Sequence, residues 1–73
     1  MWFFSPNIER MKKKNDSAGL VKCLDHRHSS VRYHAFLALA GEKLISDEII
    51  GRLKRMLDDS DERVRTAATL KFA

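Results

Sequence analysis

Cys23, His26, His28 and His34 fall within twelve residues of one another. A thiolate beside imidazoles is a nitrogen and sulfur donor set that zinc accepts. Their spacing matches no zinc-finger pattern, and the wider sequence gives each residue a plainer role. Cys23 stands where a second copy of the same pattern has Met56, so it reads as a small buried side chain. His26 and His28 read as turn residues in solvent, and His34, aligned with Ala67, as a helix residue. No metal is assigned to them. No Ser/His/Asp constellation, glycine-rich phosphate loop or inward pair of carboxylates is present either, and Gly19, Gly41 and Gly51 are scattered. The sequence therefore predicts no catalytic residue, no cofactor and no enzyme.

Charge is the next feature that can act. The 73 residues carry a formal net charge of +4. The excess lies wholly in residues 1–40, where Arg10, Lys12, Lys13, Lys14, Lys22, Arg27 and Arg32 outnumber Glu9, Asp16 and Asp25. Such a half can attract nucleic acid, an acidic protein or an anionic surface, or form an ordinary solvated helix face. The longest uninterrupted apolar runs, Ala35 to Ala40 and Trp2 to Phe4, fall far short of the ~18 residues that span a bilayer. Trp2-Phe3-Phe4 is also too short for a signal-peptide core, so a cytoplasmic protein without membrane contact is expected. One cysteine cannot form an internal disulfide, which leaves packing or a partner to stabilise a single small domain spanning 1–73.

The elements that position these residues come from a repeat. Displaced by 33 residues, the chain matches itself at Leu20 and Leu53, Leu24 and Leu57, Asp25 and Asp58, Val31 and Val64, Arg32 and Arg65, Ala35 and Ala68, Leu37 and Leu70, and Ala40 and Ala73. A period in this range marks units that bury an apolar face only by stacking on a neighbour. The units are helical: Ile49, Ile50, Leu53, Met56 and Leu57 follow helix spacing, as do Leu20, Val21 and Leu24. Polar breaks at His26 to Ser30 and Asp59 to Arg63 divide each unit into two helices. Five helices are predicted, near 7–14, 16–25, 29–41, 47–57 and 61–72. Ser5-Pro6-Asn7 is expected to cap the first helix with proline in its first turn, Asn15 or Asp16, Ser29 or Ser30, Ser46 and Asp61 are the other expected caps, and Gly41 is expected to end the third helix in a left-handed conformation. This gives a leader and short helix over 1–15, a first repeat over 16–45 and a second over 46–73.

Leu24-Asp25 to Val31-Arg32 with Ala35, and Leu57-Asp58-Asp59 to Val64-Arg65 with Ala67-Ala68, resemble HEAT repeats of the short bacterial and archaeal type known as phycobilisome-lyase-type HEAT-like repeats. Pro6-Asn7-Ile8-Glu9 to Lys14 and the helix around Leu20 resemble the leader of small proteins built from such repeats, so the likeness covers nearly the whole chain. It implies an all-α fold, a short α-solenoid of two helix-turn-helix repeats after a short N-terminal helix. It also implies that the turn carboxylates and the arginines opening the second helices form a structural ladder, with Asp25 paired to Arg32 and Asp58 or Asp59 to Arg65. His26 and His28 depart from the pattern where the second copy has Asp59 and Asp61, and Lys71 departs where the first has Ala38.

Two repeats are fewer than usually close a continuous core. Met56, Leu57, Leu70 and Phe72 are therefore expected to leave apolar surface at one end and Trp2, Phe3 and Phe4 at the other, unless the aromatics fold back as a cap. Self-association or docking through these ends is expected. The leading functional expectation is a non-catalytic protein-interaction module whose second helices line a concave surface. By the family pattern Tyr33, Leu37, Thr66 and Leu70 face outward there, with Phe72 beyond them as a further partner-binding residue. The alternative is nucleic-acid binding through the basic amino-terminal half, since HEAT-like repeats also build DNA glycosylases. An enzyme, or an enzyme's substrate-carrying subunit, is the third class.

Overall fold

A computed structural model of the chain describes residues 6–43 and 45–72. The helices are α1 (Ile8–Lys13), α2 (Ser17–Cys23), α3 (Ser29–Ala40), α4 (Asp47–Lys54) and α5 (Glu62–Phe72), with a 3-10 turn, Arg55–Asp58, continuing α4. No strand occurs among the described residues. The protein is all-helical over them, as the 3.6-residue apolar spacing requires.

Helix starts follow the short polar side chains. Asn7 accepts from the Arg10 N–H and Asp16 from the Gly19 N–H, both at 3.0 Å. Ser46 accepts from the Ile49 N–H at 3.2 Å, and Asp61 takes the Arg63 and Val64 N–H groups at 2.8 and 3.3 Å. Each satisfies a donor that the first turn of a helix leaves free. At α3 two expectations fail. Ser29 and Ser30 lie inside α3, whose N-cap is His28 with no side-chain cap bond. The extended backbone at His28 already lets its carbonyl accept from Val31 and Arg32. Gly41 ends α3 at φ −84°, in the right-handed region, because its N–H simply continues the helix bond to the Leu37 carbonyl. The left-handed residue is Asn15, at φ 55°, in the tight link between α1 and α2; asparagine tolerates that region better than most residues.

The core is one cluster built around α3. Ala35, Phe36, Ala38 and Leu39 of α3 meet Leu20 and Cys23 of α2, Leu24, Leu53 of α4, Met56, and Val64 and Ala68 of α5. Packing runs α2 against α3 and α3 against α5, with α1 resting on α2 and α3 through its half-buried Ile8 and Met11. Small side chains at Ala35, Ala38 and Ala68 leave room for Phe36, the largest fully buried side chain. Met56, expected at the open end, is buried. The 3-10 turn rotates it inward, and its neighbour Leu57 takes the exposed position instead. Trp2, Phe3 and Phe4 lie outside the described residues. No described helix is long and apolar enough to cross a membrane.

Candidate functional site

Parallel passage of α3 and α5 leaves a groove between them. Its volume is about 550 Å³, and its walls are Tyr33, Phe36, Leu37 and Ala40 from α3 and Glu62, Arg63, Thr66, Ala67, Leu70 and Lys71 from α5. Tyr33, Leu37, Thr66 and Leu70 all line it. They share this face because 33 and 37, and 66 and 70, are one helical turn apart on helices that the repeat sets in the same register. Leu37 is 45% and Leu70 82% exposed, the two most exposed large apolar side chains described.

Charged side chains hold the groove at both ends. Arg63 lies over the Tyr33 ring, 4.9 Å from its centre, and Lys71 Nζ donates to the Ala40 carbonyl at 3.3 Å, at the negative end of α3. The middle is left to apolar side chains. Sequence reasoning passed over Arg63. It did register Lys71 as a departure from the small Ala38, and that departure is the signal for its role. Phe72 is placed elsewhere: half-buried against the core, with Lys54 Nζ 5.9 Å from its ring centre.

Neither pair of the expected ladder forms. Arg32 does not pair with Asp25. Its Nε and Nη2 donate to the two carboxylate oxygens of Asp59, each at 2.9 Å, and its Nη1 donates to the carbonyls of His26 and Arg27. Asp25 instead accepts from Arg52 at 2.7 Å. Arg65 meets neither Asp58 nor the carboxylate of Asp59; its Nη1 donates to the carbonyls of Asp59 and Ser60. The physical reason is reach. The turn's own carbonyls hold one edge of each guanidinium, so the other edge of Arg32 points across to Asp59 in the turn before α5. Burial raises the Asp59 carboxyl, but the bonds from Arg32 and the Asp61 N–H outweigh it and bring Asp59 below its ordinary range. The hydrogen bond to Asp59 correspondingly pushes Arg32 up. Asp61 is also lowered, first by the Ser29 hydroxyl and then by the backbone N–H groups of α5.

The soft donors do not come together. Cys23 is buried with Sγ 4.0 Å from Met11 Sδ, and desolvation, followed by the Asp16 charge, raises its thiol. His26 and His28 stack at 5.2 Å, with His26 Nδ1 accepting from the His28 N–H, while His34 Nδ1 bonds its own helix at the Ser30 carbonyl. Among the described residues no three His, Cys, Asp or Glu side chains converge as a metal-binding group. Arg10, Lys12 and Lys13 crowd the last turn of α1, where cations complement the helix dipole. Comparison with known proteins leaves the geometry to speak alone: no protein-family model, no curated protein and no solved structure matches the chain.

Proposed function

We propose that this protein is a non-catalytic binding module, a short HEAT-like α-solenoid of two helix-turn-helix repeats after an N-terminal helix, which takes a protein segment into the groove between α3 and α5. The observation that supports it most is the outward leucine pair. Leu37 and Leu70 occupy the same point of both repeats and stay exposed beside Tyr33. Isolated exposed leucines are ordinary, but an apolar strip framed by polar ends has the form of an interface centre with its rim. From Tyr33 to Ala40 the strip runs about 10 Å along the helix axis, enough for two turns of a bound helix.

Replacing both leucines tests the proposal. Leu37→Glu with Leu70→Glu removes no core contact, so circular dichroism and melting should stay within about 0.5 kcal/mol of the parent. Partner capture from host lysate on immobilised protein, at low and moderate salt and after nuclease, should then be lost in the double variant. Capture of the same protein by both forms refutes the groove as the binding site. Retention of nucleic acid alone, and only at low salt, replaces the proposal with binding through Arg10, Lys12, Lys13 and Lys14.

A further inference from the structure

Arg65 repeats on α5 one half of what Arg32 does on α3. Arg32 Nη1 donates to the carbonyls of His26 and Arg27 at 2.8 and 3.1 Å; Arg65 Nη1 donates to those of Asp59 and Ser60, 33 residues on, at 2.9 and 3.0 Å. The other edge of Arg32 grips the Asp59 carboxylate with two bonds. The same edge of Arg65 meets no carboxylate among the described residues, whose ion pairs are Arg32–Asp59, Arg52–Asp25 and Arg63–Asp61. Because two carbonyls already fix the guanidinium, pairing it costs little further side-chain entropy. Beside it lies a concavity of about 400 Å³ walled by Leu57, Glu62, Thr66, Thr69 and Leu70, with Arg65 and Glu62 as its two charged side chains.

We infer that this end face of α5 is a docking surface for a helical hairpin that presents an aspartate from its inter-helix turn to Arg65. The chain itself supplies the template, since the α4–α5 hairpin reaches Arg32 through the Asp59 of its turn. Charge decides the kind of occupant. A second copy stacked in the same register brings His26, flanked by Arg27 and His28, to the position where Asp59 stands. That offers imidazole and guanidinium to a guanidinium, and an aspartate-bearing hairpin of another kind fits in its place. The face is also more polar than the internal junction. Thr69 holds the position of the fully buried Phe36, and Leu57 that of the buried Leu24. Docking here is therefore reversible rather than part of a permanent core. The surface meets the groove at Glu62, Thr66 and Leu70, but Leu37 belongs only to the groove, and Arg65 and Leu57 only to the end face.

The experiment extends the full chain by repeating residues 41–73 directly after Ala73, which preserves the 33-residue spacing and places the copied aspartate opposite Arg65. Melting temperature and hydrogen exchange of the original α5 are the readouts. A rise of at least about 4 °C is expected, together with slower exchange at Leu57 and Leu70. Changing the copied aspartate to asparagine, which keeps its bond to the turn N–H, should abolish most of the rise. Changing it to histidine should do the same, and both leave the original 73 residues untouched. Arg65→Gln should lower the melting temperature of the extended chain by more than that of the parent. A rise that survives loss of the aspartate overturns carboxylate recognition. No rise with unchanged exchange overturns the docking surface, and neither result bears on Leu37 and the groove.

Discussion

Asp59 holds the two halves of the molecule together by charge as well as by packing. Its side chain and that of Arg32 are 9% and 13% exposed, so removing the carboxylate strands a guanidinium in a partly dry setting. Asp59→Asn should cost about 2–4 kcal/mol in denaturant unfolding. Arg65→Gln in the same chain should cost less, because it breaks only bonds to exposed carbonyls. The pH dependence has a definite sign. Asp59 and Asp61 lie below their ordinary values when folded, so the stability they add is complete above the unfolded carboxyl pKa of ~3.9. It is lost as pH falls through the lower folded values, where the unfolded chain binds more protons. Melting followed from pH 7 downward should be level to about pH 4 and then fall, with a shallower fall in Asp59→Asn. Cys23, buried and with its thiol raised, should react with a soluble disulfide reagent only through opening of the fold. Its rate should climb steeply with denaturant, and a native rate equal to that of free cysteine would disprove its enclosure.

Helix ends make the clearest predictions at the scale of elements. Asp16→Ala and Ser46→Ala each remove a bond to a first-turn N–H and should cost about 1 kcal/mol. Ser30→Ala should cost little, since Ser30 does not cap α3. The glycines separate in the same way. A methyl group at Gly19 would run into the carboxylate of Asp16 and dislodge the α2 cap. At Gly41 the backbone is right-handed, and a methyl group would sit 3.4 Å from the Leu37 carbonyl, an ordinary contact. Gly41→Ala should therefore be neutral or stabilise by up to about 1 kcal/mol, while Gly19→Ala destabilises. A large loss at Gly41 would mean that α3 ends in a left-handed turn after all.

At the scale of the whole molecule, α3 carries the fold and its outer face carries the proposed function. Phe36 reaches the centre from α3, and Phe36→Ala should cost about 3–5 kcal/mol. Leu37, the next residue, faces the groove and should be replaceable without loss of stability. The contrast between neighbours on one helix is what a binding surface built on a rigid element requires. Outright unfolding of the Leu37→Glu, Leu70→Glu variant would show that the strip is core and leave no surface for a partner.

The outward set Tyr33, Leu37, Thr66 and Leu70 was expected from the resemblance to HEAT-like repeats, whereas helix number and the polar breaks were legible in the sequence itself, because they rest on a 3.6-residue period and a 33-residue repeat. Those are local quantities, counted along the chain without knowing how its units meet. The tertiary structure decided which groups bond between units. Asp25 found Arg52, Arg32 found Asp59, and Arg65 found the carbonyls of its own turn. A side chain several ångströms long chooses its partner by the distance and angle between neighbouring helices, and no spacing in the sequence records these. Met56 and Leu57 make the same point within one turn. Periodicity placed both on the apolar stripe, and only the switch from α-helix to 3-10 turn settled that Met56 is buried and Leu57 is not.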